Sequence, residues 1–160
     1  MHEPDKDTEQ RRNGEIMSFG MWIQVLGAFL AVVSLAVMFD VPKRYLVYDG
    51  IAAAAGWLVY LLLINHGMVE TVSMYLATIV IALLSHLFAR IFKAPVTVFL
   101  IPGMLPLVPG VGMYRMVYYL VIGNNEVATR YLSQTLQLAG MIALAVFTVD
   151  SVFRMLNGKK

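Results

Sequence analysis

Cysteine is absent from the 160-residue chain, and charged residues are scarce. Without cysteine the protein forms no disulfide, no thiolate metal site and no cysteine nucleophile. Charged residues make up 14% of the sequence and hydrophobic residues 59%, whereas a soluble domain has about 25% charged and about half apolar residues. The composition therefore excludes an ordinary soluble domain and predicts an integral membrane protein.

Motifs for enzymatic chemistry are also missing. The sequence has no His-Glu-x-x-His zinc motif, no nucleophile elbow and no phosphate-binding loop. Its net charge of +2 is small, and lysine and arginine form no basic stripe. We therefore predict no enzymatic activity, no cofactor, no metal site and no nucleic-acid partner.

Long apolar runs are what the sequence has instead. A helix needs about 20 apolar residues to cross a bilayer. Uncharged runs of this kind cover residues 16–39, 50–69, 71–89 and 131–149. The first is longer than the roughly 7–15 apolar residues of a cleaved signal peptide, so we predict a retained helix. With an apolar but broken segment at residues 94–122, these runs predict an all-α integral membrane protein with about five transmembrane helices, the fourth broken by a proline- and glycine-rich segment.

The polar residues outside these runs predict the domain limits and the orientation. We predict a disordered polar tail over residues 1–15, one transmembrane domain over residues 16–156 and a short basic tail over residues 157–160. Lysine and arginine cluster in the first and third loops and near the C-terminus, and such residues favour the cytoplasmic side. The prediction is a multi-pass protein of the cell membrane with a cytoplasmic C-terminus. Three basic residues in the N-terminal tail argue against the outward N-terminus that this topology requires.

The broken segment, residues 94–122, carries helix breakers in the middle of an apolar run. Proline removes a backbone donor and clashes with the preceding turn. In hydrocarbon an unpaired backbone group is costly, so irregular backbone survives only where protein or a water-filled cavity surrounds it. The breakers are Pro102, Gly103, Pro106, Pro109, Gly110 and Gly112.

Two interpretations of these residues are open. In the first, one half-helix ends near Ile101 and another begins near residues 110–113, so that freed carbonyls face a cation and the second N-terminus faces an anion. Gly110 would then adopt backbone angles that other residues avoid. In the second, the segment is a kinked or re-entrant structural element without ligand contact. Six breakers within eleven residues exceed what a kink needs, which favours a transport pathway.

Charged residues in or beside the apolar runs are further candidates. Arg115 either grips a substrate carboxylate or anchors at the membrane interface beside Tyr114. Asp49 either binds a coupling proton or the substrate amine, or caps the second helix at the interface, as the following glycine and nearby basic residues favour. We include Tyr114, Arg115 and Asp49 among the pathway residues. Glu70 is predicted to lie in the outer loop, and His86 to be a buried hydrogen-bond partner between helices.

Three stretches carry a family resemblance. They are Phe-Asp-Val-Pro-Lys-Arg at 39–44, Tyr-Asp-Gly-Ile-Ala-Ala-Ala-Ala-Gly-Trp at 48–57, and the run from Pro-Val-Thr-Val to Tyr-Arg-Met-Val-Tyr-Tyr at 95–119. Through them the chain resembles the threonine/serine exporter family, specifically its small, half-size membrane subunit, over most of residues 17–155. The resemblance implies export of threonine- or serine-like amino acids, or of dicarboxylates in related split systems, driven by the membrane potential or a proton gradient.

The resemblance also implies partners. Fused members of the family carry two membrane halves, whereas this chain looks like the second half alone. We therefore expect a second exporter-half subunit, a homo-oligomer, or both, in contact with the lipid bilayer. The alternative function is a non-transporting membrane scaffold that stabilises a partner subunit.

Overall fold

The computed structural model describes the backbone of residues 6–157 and the side chains of residues 19–155. Within that part the chain forms α-helices, one short 3₁₀ helix and no strand. The α-helices are α1 (Lys6–Met38), α2 (Leu46–Asn65), α3 (Glu70–Phe92), α4 (Val96–Met104), α5 (Gly110–Val121) and α6 (Asn125–Asn157), and the 3₁₀ helix is Leu105–Leu107.

Four of these helices are long and apolar enough to cross a membrane. The membrane-length segments are Phe19–Met38, Leu46–Asn65, Glu70–Phe92 and Asn125–Met155. The segments Thr97–Leu107 and Gly110–Val121 meet at a bend of 53° and make a fifth span if they are counted as one. The predicted all-α membrane fold with a broken fourth span is therefore confirmed.

The N-terminal boundary differs from the expectation. The helix α1 begins at Lys6, inside the stretch predicted to be a disordered tail, rather than at the first apolar residue, Ile16. A helix that is already stabilised by an apolar stretch extends at little cost, because each added residue gains one backbone hydrogen bond. Residues 1–5 and 158–160 lie outside the described residues, so the domain limits remain a prediction.

The turns between helices use residues that tolerate left-handed backbone angles. Gly67 follows α2 with φ 79°, and Gly123 follows α5 with φ 80°. Asp40 follows α1 with φ 56°, and Lys93 ends α3 with φ 51°. Glycine takes these angles without steric cost and aspartate takes them more readily than most residues. These turns reverse the chain, so consecutive spans pack against each other.

The helices α3 and α6 run in the same direction, side by side. Near the start of α3, Glu70 accepts a hydrogen bond from Gln134 of α6. Near its end, the His86 Nε2 atom lies 3.9 Å from an Asp150 carboxylate oxygen of α6. The broken span runs in the opposite direction beside them, with α4 packed on α3 and α2 and with α5 packed on α6.

Small residues let α2 approach its neighbours closely. A Cβ atom at Gly50 would lie 2.6 Å from the Phe29 ring of α1, and one at Gly56 would overlap Ile81 of α3. A Cβ atom at Gly103 in α4 would lie 3.2 Å from Ile81. Close approach increases van der Waals contact, which drives association of membrane helices.

Two apolar clusters hold the bundle together. The central cluster consists of Met74, Ala77, Ile81, Leu107, Leu138 and Ile142. It joins α3, the 3₁₀ helix and α6 in the middle of the bundle. The second cluster is aromatic: the rings of Tyr45 and Phe99 lie 5.1 Å apart edge to face, and Phe92 packs against both. The broken segment is therefore fixed at two levels, through Phe99 and through Leu107.

Candidate functional site

A cavity of about 310 Å³ lies beside the break in the fourth span, between α2, α3 and α6. We call it the first cavity. Its volume is within the range of about 300–1,000 Å³ that is usual for small-molecule sites. Pro106, Pro109, Gly110 and Gly112 form one wall. The polar side chains that line it are Tyr60, Glu70, Arg115, Tyr131, Gln134 and Thr135.

The wall of the first cavity is irregular because of its sequence. Pro106 stands in the first turn of the 3₁₀ helix, and Pro109 precedes the start of α5 at Gly110. The backbone N–H groups in the first turn of a helix carry partial positive charge. The half-helix predicted to begin near residues 110–113 therefore begins at Gly110, with its N-terminal turn on the cavity.

Gly112 brings α5 unusually close to α6. A Cβ atom at this position would overlap the Thr135 hydroxyl oxygen. That oxygen is buried and has no hydrogen-bond partner in the described part of the structure, and the same holds for the Trp57 indole nitrogen. Buried polar groups in proteins are normally paired. Both unpaired residues line the first cavity, so their free hydrogen-bonding capacity is a reason to expect a polar ligand there.

Arg115 supplies a positive charge to the first cavity. Its Nη1 atom donates a hydrogen bond of 3.3 Å to the Tyr131 hydroxyl, and its guanidinium lies 5.6 Å from the Tyr131 ring centre. The Tyr119 ring stacks on the Tyr131 ring, with the two ring centres 5.7 Å apart. Tyr131 orients the guanidinium, whose remaining N–H groups can form a bidentate contact with a carboxylate.

Glu70 supplies a negative charge to the same cavity. One carboxylate oxygen accepts a hydrogen bond of 3.1 Å from Gln134 Nε2, and the other accepts one of 3.5 Å from the Tyr60 hydroxyl. The predicted position of Glu70 in the outer loop is wrong. The structure places it as the first residue of α3, where an acidic side chain also interacts favourably with the helix dipole.

Four predicted pathway residues lie outside the first cavity, three in the broken span and Asp49 in α2. Pro102 is buried within α4, one turn before the break. Gly103 packs against Ile81 and Ala52, so its small size serves helix contact. Tyr114 is 70% exposed and stacks on Tyr118, 6.3 Å away, on the outer face of α5. Neighbouring residues of a helix point about 100° apart, which separates Tyr114 from Arg115.

Gly110 also departs from its expected conformation. Positive φ values among the described glycines occur at Gly67 and Gly123, and Gly110 is not one of them. A Cβ atom at Gly110 would have no heavy atom within 4 Å. The break is therefore made by the prolines and by the close approach at Gly112, and not by unusual backbone angles at Gly110.

Asp49 is completely buried near the start of α2 and lines neither of the two cavities described here. The interpretation as a helix cap is wrong, because Tyr45 occupies the N-cap position and Asp49 belongs to the helix. Neither carboxylate oxygen has a hydrogen-bond partner in the described part of the chain. A buried acid of this kind needs a proton or a partner, so Asp49 remains a candidate for proton coupling, apart from the first cavity.

A larger cavity of about 620 Å³ lies towards the end of the bundle where α3 and α6 finish. We call it the second cavity. Ala82 and His86 of α3 form its floor, and α4 and α6 form its walls. The side chains are mostly apolar, with Asp150 and Arg154 at one end. His86 stacks on Phe153 at 4.3 Å, so the histidine packs between α3 and α6.

The described residues contain no group of three or more histidine, cysteine, aspartate or glutamate side chains able to hold a metal ion. What the fold does contain is a bundle of spans, one of them broken, with a charged cavity at the break. Broken spans that line a polar site are typical of membrane transporters. The architecture therefore places the protein in that class.

The family follows from comparison with known proteins. The family described as "Threonine/Serine exporter, ThrE" matches residues 24–152. The match covers most of the chain, so the protein belongs to this family, and the predicted resemblance is confirmed. Membership implies a transporter of the threonine/serine exporter type in a multi-pass membrane setting. Comparisons with curated proteins and with solved structures give no match.

Proposed function

We propose that the protein is a subunit of an exporter for small amino-acid zwitterions such as threonine and serine, and that these bind in the first cavity. The observation that carries the proposal is that Arg115 and Glu70 both line the cavity and form no salt bridge with each other in the described part of the chain. A positive and a negative group that are not neutralised by each other suit the carboxylate and the ammonium group of one amino acid.

The same charges argue against dicarboxylates as substrates. A dicarboxylate would bring its second negative group into a cavity that already contains the Glu70 carboxylate. Like charges in a site of low dielectric constant repel strongly. The unpaired Thr135 hydroxyl suits the side-chain hydroxyl of threonine or serine, because a buried hydroxyl without a partner gains a hydrogen bond when the ligand binds.

A second membrane subunit, or a second copy of this chain, is part of the proposal. The helix α5 packs mainly on α6 and has no buried residue of its own. Its outer face carries the exposed side chains of Val111, Tyr114, Val117 and Val121. A further exporter half that packs on this face would complete the enclosure of the first cavity. The cell membrane as location and a cytoplasmic C-terminus belong to the same proposal, on the evidence of the lysine and arginine distribution.

The test is threonine counterflow in membrane vesicles from cells that express this chain alone, the other exporter half alone, or both. Arg115→Lys keeps the positive charge but cannot form a bidentate contact with a carboxylate. The threonine concentration for half-maximal rate should therefore rise about tenfold, equivalent to about 1.4 kcal/mol. Glu70→Gln should relax the preference for threonine over a dicarboxylate. All rates are normalised to the amount of protein in the membrane.

The chain offers matched controls for both substitutions. Arg130 and Glu126 form an exposed i,i+4 salt bridge of 3.1 Å on α6, outside the first cavity. Arg130→Lys and Glu126→Gln should therefore leave threonine counterflow unchanged. If Arg115→Lys and Arg130→Lys change the threonine concentration for half-maximal counterflow equally, Arg115 does not bind the substrate. If this chain changes only the amount of the other half and not its rate per molecule, the protein is a scaffold and the proposal fails.

A further inference from the structure

The second cavity is not used by the solute site described above, yet it lies in line with it. Both cavities are bounded by α3, by the broken span and by α6. The first is lined by Glu70 and Met74 at the start of α3, and the second by Ala82 and His86, roughly two to four turns further along. The two cavities are therefore successive parts of one groove along α3.

The central cluster interrupts this groove. Leu107 and Leu138 line the first cavity, whereas Ile142 lines the second. All three are almost completely buried and belong to the central cluster. Leu100 and Met104, which line the second cavity, pack against the same cluster. A layer of apolar side chains thus separates a polar compartment from a larger one, and Leu107 belongs to the short 3₁₀ helix at the break.

The charges of the second cavity differ from those of the first. The Arg154 Nε atom lies 2.8 Å from an Asp150 carboxylate oxygen, and His86 lies 3.9 Å from the other oxygen of that carboxylate. These groups neutralise each other, so they leave no free charge to hold a zwitterion tightly. A mostly apolar cavity whose charged end is ion-paired suits the passage of a small solute better than its retention.

We propose that the second cavity is a water-filled vestibule through which the small zwitterionic solute reaches the first cavity, and that Leu107, Leu138 and Ile142 form the barrier between them. The inference rests on the proposed function, because it concerns the same solute. The vestibule opens on the side of the C-terminus, so in an exporter with a cytoplasmic C-terminus the solute enters there. A break beside the barrier gives Leu107 a place to move, since the prolines leave this segment outside the regular hydrogen-bonded ladder.

The first test asks whether the second cavity contains water or lipid. The chain has no cysteine, so single cysteines can be introduced without background. Ala143 and Leu144 are adjacent, exposed residues of α6, but only Ala143 lines the second cavity. In permeabilised cells Ala143→Cys should react with a charged methanethiosulfonate reagent at least about tenfold faster than Leu144→Cys, because a reactive thiolate forms in water and not in hydrocarbon. Equal, slow reaction of both would mean that lipid fills the cavity and would overturn the proposal.

The second test asks whether the solute passes this way. Modification of Ala143→Cys should block threonine counterflow, and modification of Leu144→Cys should not. Leu138→Ala should open the barrier and give several-fold faster threonine leakage from loaded vesicles, whereas Leu136→Ala, an exposed residue of the same helix, should not. If Leu138→Ala lowers the amount of protein in the membrane, the comparison of Ala143→Cys with Leu144→Cys still tests whether threonine passes through the second cavity.

The outcomes separate this inference from the proposed function. Wild-type vesicles that show no threonine counterflow would overturn the proposed function and the passage together. Wild-type counterflow that survives complete modification of Ala143→Cys would overturn the vestibule alone. A third outcome is possible, in which modification of Ala143→Cys blocks threonine counterflow but Leu138→Ala leaves threonine leakage unchanged. The solute would then pass through the second cavity, and the proposal that Leu138 belongs to the barrier would be refuted.

Discussion

Gly112→Ala is expected to push α5 away from α6 and to disturb the first cavity. The added Cβ atom would overlap the Thr135 hydroxyl oxygen, while the Thr135 Cβ atom would stay 3.6 Å away. Forcing a methyl group into a packed contact costs about 1–3 kcal/mol, and the better helix propensity of alanine returns up to ~1 kcal/mol. The net loss in free energy of unfolding should therefore be up to about 2 kcal/mol.

The physical cause can be isolated by removing the atom that clashes. In a Thr135→Ala background the hydroxyl is gone, so Gly112→Ala should cost little or become slightly stabilising through helix propensity. The coupling free energy between the two positions should be about 1–2 kcal/mol in favour of the double variant. Thr135→Ala alone removes an unpaired buried hydroxyl and should be tolerated in the absence of substrate.

The assay is reversible unfolding in mixed detergent micelles, followed by circular dichroism, for the four members of the cycle. Gly110→Ala is the matched control, because a Cβ atom there would meet nothing within 4 Å. Threonine counterflow measured in parallel should fall for Gly112→Ala and stay near the wild-type rate for Gly110→Ala. The reasoning is refuted if Gly112→Ala costs no more than Gly110→Ala, or if Thr135→Ala fails to relieve the cost.

Three further predictions concern topology, the break and coupling. Asn65→Cys should react with an impermeant maleimide outside intact cells and Lys159→Cys only after permeabilisation; outside labelling of Lys159→Cys would reverse the topology. Pro106→Ala with Pro109→Ala should restore backbone donors, reduce the 53° bend and slow counterflow; wild-type rates would remove the break from the transport site. Asp49→Asn should keep threonine counterflow and lose accumulation driven by a proton gradient; normal accumulation would exclude Asp49 from coupling.

The regular spans were predictable because their cause is local. An uncharged run of about 20 residues has few alternatives to a helix in a bilayer, so α2 and α3 begin and end close to their apolar limits. The break was predictable for the same reason, since Pro106 and Pro109 act on their own backbone. A local pattern cannot predict which residue of the broken segment packs against a neighbouring helix and which lines the cavity. Gly103 is used for packing against Ile81, whereas Gly112 sits against Thr135, and this difference depends on neighbouring helices.

The position of Glu70 in the first cavity is not predictable from the sequence. The sequence predicts that its carboxylate belongs to a polar loop, because the charge lies just outside an apolar run. Its proximity to Gln134 arises because α3 and α6 run parallel and pack directly against each other. A parallel pair requires an intervening span, so the contact joins residues 64 positions apart in the sequence. The one available signal was an acidic residue at the first position of a membrane helix, which helix-dipole stabilisation explains equally well. The sequence leaves Arg115 open between a substrate-binding group and an interfacial anchor, because an arginine near the end of an apolar segment suits both. The presence of Arg115 and Glu70 in one cavity, without a salt bridge between them in the described part of the chain, makes the broken span a candidate binding site for a zwitterion.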